Sequence, residues 1–346
     1  MTSETILEAL KQVTYPGFSR DIVSFGLVKD ITIEDGVVTV YISVQTKDPT
    51  VPEQIFNGCH AVLDDMEGVK YPRIEIDVQE PPSQAEQASQ GKSGIPGVKH
   101  IIAIASGKGG VGKSTVASNL ATALAKSGAK VGLCDCDLYG PSISLMFGTN
   151  DRPLATEDNK IIPLQAHGVK LMSMGFLLED ASPVIVRGPL ATRYTQQFLQ
   201  QVEWGELDYL ILDLPPGTGD IQLTIVQTTA LTGSIIVTTP QEVALIDARK
   251  AISMFSKVNV DILGLIENMA WFECDHGVKY PIFGDGGGAD EAAKMKVPLL
   301  GQIPIEIATR QQGDSGAPVA LSPESESKAS AAFAAIAKDI RDRFPA

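Results

Sequence analysis

Residues 107–114 read GKGGVGKS, and no other stretch restricts the possible folds of this chain as tightly. The spacing is G-x-x-x-x-G-K-[ST], set directly after the apolar run HIIAIAS (100–106) and directly before STVASNLATALAKSG (114–128), which carries helical spacing. Strand, glycine loop and helix in that order form a phosphate cradle. Glycines let the backbone curl until successive N–H groups and the helix N-terminus face an anion. Lys113 is placed to reach β- and γ-phosphate oxygens, and the Ser114 hydroxyl to ligate Mg²⁺.

The rest of the second part of the chain agrees with that frame. The runs KVGLCDCDL, DYLILDLP, GSIIVTTP and VDILGLIENM are apolar almost throughout and alternate with helical stretches. Strands apolar on both faces and separated by helices predict a doubly wound, mainly parallel α/β sheet of P-loop NTPase type. Two of these strands end in carboxylates at the ligand edge of such a sheet. Asp213 stands where a Walker B carboxylate supports Mg²⁺, with PPGTGD (215–220) behind it as a γ-phosphate sensor. Asp135 and Asp137 close KVGLCDCDL at that edge, with a helix cap or a solvated loop charge as the alternative role.

A smaller unit precedes this one. Residues 3–12 have helical spacing, ITIEDGVVTVYISV (31–44) alternates about the Asp35-Gly36 turn signal, a helix follows near 52–66, and RIEIDV (73–78) alternates again. Residues 1–79 are therefore read as a small α+β domain, and 98–346 as the P-loop domain. Between them EPPSQAEQASQGKSGIPG (80–97) has linker composition.

Charge and cysteine usage narrow the function further. Lys and Arg number 28 against 42 Asp and Glu, a net −14 over 346 residues, which disfavours a nucleic-acid backbone as partner. Residues 1–80 hold 6 basic and 14 acidic side chains, which suits basic partner surfaces. The N-terminal residues lack a signal-peptide core and no run approaches a membrane span, so a cytoplasmic protein without membrane attachment is expected. Cys59, Cys134, Cys136 and Cys274 are too scattered for a disulfide framework. Cys134 and Cys136 alternate within a strand covered on both faces and read as buried, although Cys136 lies between two nucleotide-edge carboxylates; Cys59 falls in a helical stretch and reads as packing.

Taken together, the motifs resemble a known family. KGGVGKST, with Lys108 inside the loop, is similar to the deviant Walker A of the MinD/ParA class. DCDLYGPS, RGPL (187–190), DLPPGTGD, TTPQEVALIDARKA and ENM (267–269) resemble the Mrp/ApbC family of iron–sulfur cluster carrier ATPases over residues 98–345. DIVSFGLVKDI and the strands after it resemble the small MIP18-like domain linked to iron–sulfur maturation. The resemblance implies an ATP-hydrolysing homodimer that carries an iron–sulfur cluster, of the 4Fe–4S type, to apoprotein clients and works with iron–sulfur assembly proteins. Carried over by position, Gly107, Lys108, Gly109, Gly110, Val111, Gly112, Lys113, Ser114 and Thr115 bind ATP. Asp137 activates water, Asp213 supports Mg²⁺, Asn268 meets the adenine, and Lys108 crosses to the partner's phosphates.

The family pattern breaks at the cluster site. The family carries C-x-x-C after ENM, and two chains together offer four thiolates. This chain reads ENMAWFECDHGVKYPIFGDGGG, with Cys274 alone. Cys274 and His276 from two chains would restore four ligands; alternatively Cys274 pairs with ligands elsewhere, or both residues are ordinary loop side chains. The small domain departs too, with Val51 before Pro52 in KDPTVPEQI where relatives often carry a reactive cysteine, so a docking module is expected. Competing readings are a MinD/ParA-like partitioning ATPase and a regulatory P-loop ATPase without a cluster. Against the first, the C-terminal stripe of Phe333, Ile336, Ile340 and Phe344 reads as core packing rather than a membrane-binding face.

Overall fold

The computed structural model describes residues 2–16, 21–79 apart from 25, 35, 47, 49 and 67, 92–137, 140–176 apart from 150, 157 and 159, and 199–346. RGPL (187–190) lies outside the described residues, as do Asp35 of the turn signal and most of the expected linker. The chain divides into two units, Met1–Ser89 and Gln90–Ala346.

The first unit holds α1 (Ser3–Leu10), β1 (Val28–Glu34), β2 (Val37–Gln45), α2 (Thr50–Asp64) and β3 (Tyr71–Gln79). β1 and β2 form the antiparallel hairpin that the alternation predicts, and β3 pairs parallel to β2. Val38, Val40, Ile42 and Val44 occupy alternate positions of β2 and are all buried, together with Ile6 and Leu10 of α1 and Ile55, Cys59 and Leu63 of α2. The position of Cys59 is thus a core position, and burial pushes its thiol up to about 12.

The second unit is built on β4 (Val98–Ala105), α3 (Lys113–Lys126), β5 (Val131–Asp135), α4 (Ile143–Phe147), β6 (Leu164–Ala166), β7 (Val169–Ser173), β8 (Leu207–Asp213) and α5 (Asp220–Thr228). It continues with β9 (Gly233–Thr238), α6 (Glu242–Lys257), β10 (Ile262–Glu267), β11 (Phe272–Glu273), β12 (Lys279–Tyr280), α7 (Gly287–Met295), β13 (Leu299–Gln302), α8 (Ile307–Asp314) and α9 (Lys328–Arg343). Among the described residues eight strands form one sheet in the order β13-β10-β9-β4-β8-β5-β7-β6, parallel except for the edge pair β6/β7, while β11 and β12 make a separate small hairpin. Every residue of β5 and β9 is buried, which explains why these strands read as unbroken apolar runs.

Phe333, Ile336 and Ile340 of α9 are buried on α3 and the sheet, so the C-terminal stripe belongs to the core. No described helix is long and apolar enough to cross a membrane. Part of the stretch with linker composition is structured against the second unit: Ser93 N–H donates to Thr228 O at 2.9 Å, and the Lys92 ammonium to Val258 O at 3.1 Å. These polar residues carry no periodicity because they are held through backbone groups and a lysine tip rather than by an apolar face.

Candidate functional site

The loop between β4 and α3 owes its shape to three of its glycines, Gly107, Gly110 and Gly112. Gly110 and Gly112 sit in the left-handed region at φ 82° and 80°. At Gly107 the constraint is space, since a Cβ there would lie 2.0 Å from the carbonyl oxygen of Asp247 in α6. Gly112 caps α3 without a side-chain hydrogen bond, and the first turn has no acidic residue. The free N–H groups and dipole of a 14-residue helix are therefore aimed at the loop, an arrangement suited to phosphate. Ser106 braces the base: its hydroxyl donates to Lys108 O at 2.8 Å, and its own carbonyl accepts from Gly217 N–H at 2.9 Å. The second bond ties the PPGTGD segment to the loop.

Lys113 is 6% exposed and forms an ion pair with Oδ1 of Asp213, which is fully buried at the end of β8. Its ammonium also donates to Ser114 Oγ at 3.3 Å. Asp213 Oδ2 accepts no hydrogen bond among the described residues. Burial raises the Asp213 carboxyl above its ordinary range, while Lys113 pulls it down. A buried carboxylate with a free oxygen beside a serine hydroxyl is a hard-oxygen set that fits magnesium. Among the described residues Lys108 makes no ion pair, and its loop neighbours Gly109 and Gly110 are exposed.

The two carboxylates of the DCD segment divide their work. Asp135 is buried and accepts from Asp137 N–H, Ser142 N–H, Ile143 N–H and Ser173 Oγ, the second and third at the start of α4. It organises the strand-to-helix turn, and burial together with the Asp213 charge pushes it up to about 7. Asp137 is half-buried at the same edge, and its Oδ1 accepts from Gly140 N–H at 3.2 Å. Cys134 and Cys136 are both buried, with their sulfurs 4.0 Å apart, so neither reaches the open edge.

Asn268 follows β10. It is buried and its Nδ2 donates to Val111 O at 2.9 Å, clamping the phosphate loop from 157 residues away. Asn268 also lines a cavity of about 450 Å³ beside α3, together with Thr115, Ser118, Met269, Phe283 and Ile305. Met269 carries φ 57°, strained for a residue with a side chain. Sequence reasoning missed most of this wall, because Phe283 and Ile305 lie in irregular segments with no motif of their own. A larger open groove of about 850 Å³ lies at the far end of α3, around Lys126 and α9, away from the loop.

Cys274 is partly buried at the turn between β11 and β12, where its N–H donates to Val278 O at 3.0 Å; His276 is exposed. Among the described residues no group of three or more His, Cys, Asp or Glu side chains could hold a metal within one protomer.

A family model described as "NUBPL iron-transfer P-loop NTPase" matches residues 97–341, and one described as "Iron-sulfur cluster assembly protein" matches residues 3–76. This chain belongs to the iron-transfer P-loop NTPase family. A Deinococcus radiodurans iron–sulfur cluster carrier protein is 44% identical, covering 98% of this chain and 94% of its own. A Synechocystis iron–sulfur cluster carrier protein is 40% identical, covering 98% and 97%. Among solved structures, a nucleotide-binding protein from Archaeoglobus fulgidus in complex with ADP superposes with a TM-score of 0.59 at 37% identity, covering 70% of this chain and 95% of that one. The iron-transfer match falls within the second unit and the assembly-protein match within the first.

Proposed function

We propose that this iron-transfer P-loop NTPase is an ATP-hydrolysing carrier that holds an iron–sulfur cluster between two protomers and passes it to apoproteins. The observation that carries the reading is end-to-end similarity, small domain included, to iron–sulfur cluster carrier proteins. A partitioning ATPase would share the loop and the sheet but not the matched small domain.

On this reading Gly107 to Thr115 cradle the ATP phosphates, and the cavity beside α3 takes the adenine and ribose, with Asn268 at its edge. Lys113 exchanges Asp213 for the β- and γ-phosphates. Ser114 and the released Asp213 would hold magnesium, which when bound screens phosphate charge. Asp137 orients the attacking water and takes its proton on a carboxylate oxygen, yielding ADP and phosphate. Lys108 acts on a second copy's phosphates, so that positive charge arrives where γ-phosphate charge redistributes only in the dimer. Val243 and Ile246 support that dimer: they are 58% and 42% exposed on α6, the helix whose Asp247 backbone abuts Gly107.

The cluster is cargo, and its ligands are the finer part of the proposal. Two copies of Cys274 supply two thiolates, and two copies of His276 complete a set of four, a ligand count known in Rieske-type centres. Anaerobic reconstitution tests this. Wild type should take up iron and acid-labile sulfide in near-equal amounts, with Cys274→Ala and His276→Ala each losing them. Unchanged content in both variants rejects the ligand set, and a colourless wild type that still hydrolyses ATP rejects the carrier function.

A further inference from the structure

The hairpin that carries Cys274 is rooted at both ends in the wall of the 450 Å³ cavity beside α3. On its entry side, Met269 lines the cavity, Ala270 N–H donates to Ile303 O at 2.9 Å, and Ile305 N–H donates to Trp271 O at 2.7 Å. Phe272 forms an isolated bridge with Ile305, itself a lining residue. On its exit side the chain leaves β12, turns through Pro281 to Gly284 by a 3.1 Å hydrogen bond, and places Phe283 in the cavity. Just beyond, the backbone is pinned, since a Cβ on Gly287 would lie 2.4 Å from Pro240 O. Between these anchors the Lys279 ammonium lies 4.3 Å from the Trp271 ring centroid. The hairpin has two ladder pairs, its tip from Asp275 to Tyr280 is exposed, and Glu273 is tied outward to Lys328 by an ion pair.

From this arrangement we propose that Phe283 is a positioning residue that couples occupancy of the cavity to the exposure of Cys274 within a single protomer. The inference rests on the reading of the cavity as the base subsite. Phe283 lies nine positions after Cys274, half-buried in the short segment between β12 and α7, and lines the cavity. A planar base entering the cavity adds a packing partner for that ring and for Ile305. Both roots of the hairpin are then immobilised together, and local opening at Cys274 becomes rarer. Cys274 is not a lining residue of the cavity, so its protection would come through the hairpin rather than by direct cover. The phosphates are recognised elsewhere, at Gly107 to Ser114, so phosphate binding alone should leave the hairpin unchanged.

The other three cysteines are buried, which makes Cys274 the thiol that labels under native conditions. The experiment is the rate of N-ethylmaleimide addition at Cys274, followed by peptide mass spectrometry on the full chain without cluster. It compares ligand-free protein, saturating ADP and saturating tripolyphosphate, with saturation set by calorimetry. ADP should slow labelling by about fivefold or more, because a half-buried thiol reacts faster the more often its hairpin loosens, and tripolyphosphate should not. The factor should be the same at low and high protein concentration, which separates it from burial in a dimer. Phe283→Ala should lose the ADP effect at saturation, and Phe283→Leu should recover part of it. ADP uptake with unchanged labelling overturns the coupling while sparing the base subsite. Absence of ADP uptake overturns the subsite and the coupling with it. Equal slowing by tripolyphosphate, or a full effect in Phe283→Ala, removes Phe283 from the route.

Discussion

Asp213→Asn offers the sharpest test of the site, because it separates the nucleotide-free state from the loaded one. The Lys113 ammonium is 6% exposed and its carboxylate partner is fully buried. Removing one member of a buried ion pair leaves the other charge uncompensated and costs about 3–5 kcal/mol. For a domain of this size each kcal/mol moves the melting temperature by about 2–4 °C, so the nucleotide-free variant should melt roughly 6–20 °C below wild type. Phosphates bring their own negative charge to Lys113. Metal-free ADP should therefore raise the melting temperature of the variant by more than that of wild type, and should bind the variant more tightly, since no carboxylate competes for the ammonium. Scanning fluorimetry and calorimetry in EDTA measure both. A variant that melts within about 2 °C of wild type, or equal ADP increments in the two proteins, would refute the argument that this pair holds the loop together.

Three further outcomes follow from the same geometry. Gly107→Ala forces a Cβ onto the Asp247 backbone at 2.0 Å, so it should abolish nucleotide uptake in calorimetry while the first unit melts as before. Lys108→Ala should keep nucleotide affinity within a few-fold and lose ATP turnover, with wild-type activity per chain rising with protein concentration; concentration-independent turnover would contradict a lysine acting in trans. Asp135 has its folded pKa raised to about 7, so its contribution to stability is full below the ordinary carboxylate range and is lost as pH rises through about 7. Wild-type stability in urea should accordingly decline between pH 5 and 7.5 by up to about 1.4 kcal/mol per unit from this group, and Asp135→Asn should remove that slope.

The legibility of this chain follows the range of its interactions. Within one unit the loop, the Asp213 strand end and the buried stripe of Phe333, Ile336 and Ile340 could all be read ahead of the structure, since each depends on spacing along a single segment. The same holds for the hairpin about Gly36, whose register follows from alternation. At Asp135 the sequence leaves nucleotide contact, helix cap and solvated loop charge open, and the Ser142 and Ile143 N–H groups that donate to it at the start of α4 make it the cap.

Local pattern alone determined the class of protein: a glycine cradle between an apolar strand and a helix permits little besides a phosphate site on a parallel sheet. Tertiary structure decided which groups face one another. It paired Lys113 with Asp213 across 100 residues and set Asn268 under Val111 across 157. It also brought Phe283 and Ile305 to one cavity wall with the Cys274 hairpin between them. The physical reason is that periodicity records which face of an element is buried, whereas the partner of a buried charge or ring is chosen by strand order and loop path, which only the assembled sheet supplies.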